Sequence, residues 1–199
     1  MLCLHVEPSS KQNLVKIMAS SAAKRQKRPT MLVVRPSPLA KSRALVQVGH
    51  LTFAAAIGRN GRSAVKREGD GKTPITMMRF LHGFYRGDRM TALRTALPMR
   101  KTQAPMLWCD APADANYNRL VKAPFKASHE EMKRTDGLYD VCLVLDWNIT
   151  SRSRNRGSAI FMHMIRPGYE PTAGCVALHP RDMRRILPYL GKNARIRVL

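Results

Sequence analysis

Aromatic residues are scarce in this chain: five phenylalanines, five tyrosines and two tryptophans among 199 residues. Aliphatic side chains and twelve methionines must therefore fill its core. Long apolar runs are missing too. No segment approaches the roughly 20 apolar residues that a membrane-spanning helix needs, so a helical span is excluded. The first thirty residues lack the apolar stretch of a secretory signal. The four cysteines, Cys3, Cys109, Cys142 and Cys175, fall neither in close pairs nor at metal-ligand spacing, so no metal site is signalled. Acidic residues are the last shortage, 13 against 35 lysines and arginines, for a formal net charge of +22. Such a surplus calls for an anionic partner: nucleic acid through counterion release, a membrane surface, or an anionic polymer. The basic residues are dispersed, apart from Lys24-Arg25-Gln26-Lys27-Arg28 and Arg152 to Arg156. No interleaved aromatics, zinc-finger spacing or RNA-binding signature accompanies them, which makes nucleic acid the weaker partner while the charge alone leaves it open.

What is present fits one turn-rich domain. At 44% hydrophobic, 199 residues can bury a single core. Thirteen prolines and twelve glycines, spread along the chain, suit a β architecture better than a helical bundle. Residues 1–30 read as a basic, flexible extension rich in Ser, Ala and Lys, with a short helix around Asn13 to Ser20. Residues 31–199 make the domain, and Met31 is a candidate start. Met31 to Arg35 reads as a strand stopped by Pro36 and Pro38, and Ala44 to Val48 with Leu51 to Ile57 as a hairpin turning at Gly49-His50. Gly58 to Pro74 is a polar, glycine-rich loop of functional length. Ile75 to Tyr85 resumes extended structure, and Met90 to Tyr117, punctuated by Pro98, Pro105 and Pro112, reads as an irregular insertion. Leu138 to Asp146 and Ser158 to Ile165 are strands around a turn over Asn148 to Gly157. Pro180 opens the one long helix, with Met183, Ile186, Leu187 and Leu190 at helical spacing before Gly191. Arg195 to Leu199 is a closing strand. The expected fold is mainly β, a sandwich or barrel with a helix after the strand that follows Cys175.

The chemistry centres on two residues. Cys175 stands in Thr172-Ala173-Gly174-Cys175-Val176-Ala177-Leu178, twelve positions after His163. A free thiol has a pKa of about 8.5, and a neighbouring imidazole can lower it enough to supply a thiolate at neutral pH. The strand carrying His163 and the extended run from Cys175, joined through Pro167-Gly168 and Pro171, would bring the two side chains together. The competing reading is a buried small hydrophobe beside a structural histidine. Cys142, alternating with apolar neighbours, reads as core.

These words resemble the L,D-transpeptidase family, the YkuD-type cysteine enzymes of bacterial cell-wall metabolism. The family pattern of a histidine, a variable loop, then Ser or Thr, any residue, Gly and Cys stands here as His163, Met164 to Pro171, and Thr172-Ala173-Gly174-Cys175. Upstream lies Glu68-Gly69-Asp70-Gly71-Lys72-Thr73-Pro74. Trp108-Cys109-Asp110, Asn116-Tyr117-Asn118, Ser128-His129-Glu130 and Leu138-Tyr139-Asp140 resemble a basic, leaderless-looking branch of the family. The resemblance covers roughly Met31 to Leu199. It implies an L,D-transpeptidase catalytic-domain fold and a thioester acyl-enzyme at Cys175, with His163 as base and acid. It also implies an oxyanion hole from the backbone of Gly174 and Cys175, with no metal or cofactor. The implied substrate is the peptidoglycan tetrapeptide stem and the outcome a 3→3 cross-link or attachment to an amine acceptor. An L,D-carboxypeptidase and a non-catalytic basic module for polyanions or cell wall are the alternatives. Thr172, Lys72, Arg166, Tyr117 and Asn118 are candidate substrate-binding residues. Met164 stands where many members have Gly, and Ala177 where many have a polar residue, so Arg166, Arg181 or Lys72 would take over the substrate carboxylate. The family implies the cell envelope or periplasm. Without a readable signal the cytoplasm stays open, as does the oligomeric state.

Overall fold

The computed structural model describes residues 30–199. Except for Thr30, the expected basic extension, with its helix at Asn13 to Ser20, lies outside the described residues. Strands β1 (Met31–Pro36), β2 (Arg43–Val48) and β3 (Leu51–Ala56) form an antiparallel meander. Its hairpin turns at Gly49-His50, as the turn residues predict, with Gly49 at φ +56°. The loop that follows is pinched by the short parallel pair β4 (Arg62–Ser63) and β5 (Thr73–Pro74).

β6 (Met77–Tyr85) is the longest strand, and its nine residues decide the architecture. It meets β14 (Arg195–Val198) through Met77 to Arg79, and β11 (Val141–Leu145) through Phe80 to Tyr85. With β12 (Phe161–Met164) and β13 (Val176–Leu178), eight strands close in the order β11-β12-β13-β3-β2-β1-β14-β6 and back to β11. Of the two expected forms, the barrel is the one realised. Closure pairs the strand edges within the ring, which removes the liability of an open sheet. Helix α1 (Pro180–Ile186) follows β13, as expected, with the ring of His179 accepting the Arg181 amide at 3.3 Å. It is shorter than its periodicity implies. Leu187–Tyr189 tightens into a 3₁₀ turn, where Pro188 has no amide to extend the α-helical ladder.

Two expectations need correction. Met90 to Tyr117 is not simply irregular: it holds β7 (Met99–Lys101), parallel to β6, and β8 (Met106–Cys109). β8 is the middle strand of a small sheet between β10 (His129–Glu131) and β9 (Arg119–Lys122). Strands of three or four residues between prolines are too short to show alternation. The strand expected at Ser158 to Ile165 is only Phe161–Met164, because Ala159 takes a positive φ of +50°.

The central strands are buried on both faces. Val141, Leu143, Leu145, Met162 and Met164 join the main core with Met183 and Ile186 of α1. Cys142, Val144 and Phe161 point the other way, into a second cluster beneath the small sheet with Trp108, Tyr139 and Cys175. That second cluster holds the site.

Candidate active site

β12 and β13 run parallel with Met162 beside Val176 and His163 beside Ala177. Continuing the register sets Cys175 beside Phe161, whose N–H donates to Cys175 Sγ at 3.3 Å. Cys175 and His163 therefore share one face, two residues apart along it. They are 8% and 6% exposed, and both line a cavity of about 210 Å³. Ala177, where a polar residue is common, also lines it.

His163 Nδ1 lies 2.6 Å from the Met164 carbonyl, which can only accept. Nδ1 thus carries the proton, and Nε2 is left with a free lone pair. This bond orients the ring and needs only a backbone oxygen, so it is indifferent to Met164 standing where glycine is common. Burial pushes the imidazole down to about 4, partly opposed by the Met164 bond and helped by Arg134.

The thiol is tied to the backbone, donating to the Ala159 carbonyl at 3.1 Å. Burial pushes it up to about 12; the Phe161 hydrogen bond opposes this, Glu130 adds to the rise and Lys66 opposes it. Burial thus works against the expected preformed thiolate. A neutral imidazole offers no charge to hold a thiolate, and desolvation outweighs the rest.

Backbone constraints shape the turn before Cys175. Thr172 Oγ1 donates to the Cys175 carbonyl at 2.7 Å and accepts the Gly174 amide at 3.1 Å. Its own backbone bonds Ile57 and Arg59, docking the turn on the end of β3. Gly174, at φ +148°, is pressed so closely on Lys72 that a Cβ there would lie 2.8 Å from the Lys72 carbonyl. The Gly174 amide, expected at the oxyanion hole, is engaged within the turn by Thr172, and Gly174 is a close-approach position.

The other candidates separate. Thr172 and Arg166 line the cavity; Lys72, Tyr117 and Asn118 do not. Lys72 contributes backbone, its amide bonding Asp70 at 2.9 Å. Tyr117 is buried behind the turn with its hydroxyl on Glu68, which also accepts Ser158 Oγ at 2.8 Å. Asn118 is a brace. Its Oδ1 accepts the Trp108 indole at 3.0 Å and the Ala159 amide at 3.1 Å, and its Nδ2 donates to the Trp147 carbonyl. These two positions hold the loop that holds the thiol. Arg181 is exposed on α1 and does not line the cavity.

Sequence reasoning missed Arg59, Glu130, Arg134 and Tyr139, which also line the cavity. Glu130 and Tyr139 bond each other at 3.1 Å, and both stood in recognised words without a role. Arg166 lies 3.8 Å from Asp136 and 3.6 Å from Glu170, and Arg134 shares Asp136 at 2.6 Å. Arg59 has no ion pair among the described residues. Lys66 was missed as well: it is 5% exposed, paired with Asp70 at 2.7 Å and packed against the Gly157 and Gly174 backbone. Cys109 and Cys142 are buried free thiols.

Residues 33–198 match the family model YkuD, described as the L,D-transpeptidase catalytic domain. No curated protein and no solved structure matches the chain.

Proposed function

The chain belongs to the YkuD family of L,D-transpeptidase catalytic domains, and from that premise we propose that Cys175 and His163 carry out acyl transfer on peptidoglycan tetrapeptide stems. One observation carries the reading: a buried thiol and a buried imidazole with a free Nε2 lone pair line the same cavity, on one face of adjacent strands. Stem peptides are the substrates on which the family acts.

His163 Nε2 takes the Sγ proton as sulfur attacks the carbonyl carbon of the third stem residue. The tetrahedral oxyanion is met by the Cys175 amide, since the Gly174 amide is engaged. The C–N bond to the terminal D-residue then breaks, and His163 returns the proton to the departing amine, leaving a thioester. An acceptor amine attacks the thioester, gives its proton to His163 and expels the thiolate, which is reprotonated. Water in that last step would give the carboxypeptidase product. Deprotonation accompanies attack, because the resting pair is neutral. Arg166 and Arg59 at the cavity serve the substrate carboxylate in place of the polar residue that Ala177 replaces. The cell envelope, where stem peptides lie, is the proposed place of action.

The test is incubation with a disaccharide-tetrapeptide, read by mass spectrometry, with Cys175→Ala alongside. A dimer lacking one D-alanine, absent with the variant, supports transpeptidation. A tripeptide monomer assigns carboxypeptidase action. Unchanged substrate with folded wild-type protein overturns the reading in favour of a non-catalytic module.

A further inference from the structure

Arg154 and Arg156, from the arginine run that the catalytic reading leaves unused, line a second recess. A groove of about 360 Å³ lies between loop 64–67 and loop 153–156, with Lys66, Arg67, Arg154 and Arg156 among its lining residues. Lys66 forms its floor and is neutralised by Asp70 at 2.7 Å. Arg67, Arg154 and Arg156 are exposed, and none has an ion pair among the described residues. Among the described residues, no carboxylate lines the groove.

The loop that carries these arginines is built, not slack. Asn148 Nδ2 donates to the carbonyls of Ser153 and Gly157, both at 3.0 Å, and its Oδ1 accepts the Ser153 amide at 2.8 Å. The Trp147 indole bonds the Arg156 carbonyl at 3.0 Å, and the Glu68 amide bonds the Asn155 carbonyl at 2.8 Å, tying the two walls together. Arg152 and Asn155 take positive φ, of +43° and +62°. The backbone that carries these guanidiniums is thus fixed in advance, which lowers the ordering cost of binding an anion.

We infer that this groove binds a linear chain of phosphate groups through Arg67, Arg154 and Arg156. Guanidinium forks match phosphate oxygens, and three unneutralised cations need an occupant with several charges, which a single carboxylate does not supply. The occupant is read by its phosphates alone. Among the described residues, no aromatic side chain lines the groove for stacking a base, and the nearby Trp147 ring has the Arg156 guanidinium over it at 5.8 Å. The site is independent of the chemistry at Cys175, so Cys175→Ala binds as the wild type does.

The probe is inorganic polyphosphate, titrated into the full chain by fluorescence anisotropy at several salt concentrations. Each phosphate neutralised contributes a log–log slope of about −0.7 to −0.9, so Arg154→Ala with Arg156→Ala should shrink the slope by about 1.5. Adding Arg67→Ala should shrink it further, with an unchanged thermal midpoint confirming the fold. Arg181→Ala with Arg184→Ala, both exposed on α1, should leave it unchanged. Equal losses in the two double variants would mean only the diffuse field of a +22 chain and would overturn the site. A single-stranded oligodeoxynucleotide of equal charge binding over tenfold tighter would overturn it too, in favour of a base-reading groove.

Discussion

His163 donates Nδ1–H to a backbone carbonyl, and that bond decides which nitrogen can serve Cys175. With the imidazole pushed down to about 4 and the thiol up to about 12, both are neutral across the ordinary pH range. The acid limb of kcat/KM should therefore fall near pH 4, where Nε2 becomes protonated, and not near 6.5. A pH–rate profile checks this, and a limb at 6.5 or above would refute the buried-base account. His163→Ala should lower acylation by about 10²–10⁴-fold, the usual range for a general base. Free-enzyme alkylation of Cys175 at pH 7 should be no faster than that of a simple thiol, since no thiolate is stored. Thr172→Val removes the hydroxyl that joins the Cys175 carbonyl and the Gly174 amide, so kcat should fall with KM little changed. The two residues proposed to react were legible because their spacing is local. Arg59, Arg134 and Tyr139 were not, since only the barrel's long-range pairings bring them to the same cavity.

Among the elements, the strands that showed were those with one continuous side to bury. β2 alternates cleanly, and β11 reads as an unbroken apolar run and β12 as one broken only by His163, because they are covered by the main core on one face and the small sheet on the other. The small sheet left no such trace: its strands are brief, and β9 and β10 have no fully buried residue. Yet this sheet supplies the roof of the site, and Asn118, just before β9, ties it to the thiol's loop. Asn118→Ala would strand the Trp108 indole and the Ala159 amide that its Oδ1 now accepts. Each unmet buried donor costs about 1–3 kcal/mol, so urea unfolding should show a loss of a few kcal/mol. Because the Ala159 carbonyl accepts the thiol, acylation should weaken as well, even though Asn118 does not line the cavity.

For the whole molecule, barrel closure needs β14, parallel to β1 and antiparallel to β6, as well as the β6–β11 pairing. The proposed catalytic pair sits across the ring from β14, so global stability and the site are linked through the closed sheet. His163 makes the link measurable. Its imidazole is depressed to about 4 in the folded protein against 6.5 for an unperturbed histidine. Between those values the unfolded chain binds the proton that the native state refuses, so stability rises with pH there. The contribution is present above about 6.5 and is lost as pH falls toward 4. At about 1.4 kcal/mol per pKa unit it amounts to roughly 3 kcal/mol. Half-buried His82, also pushed down by burial, acts in the same direction, so the wild-type curve alone does not isolate the effect. His163→Gln does. Its urea-unfolding free energy should fall less between pH 7 and 4 than the wild type's, by about that 3 kcal/mol, whatever constant offset the substitution brings. Parallel pH curves for the two proteins would mean that the imidazole is solvated, and the neutral resting pair on which the proposed mechanism rests would go with it.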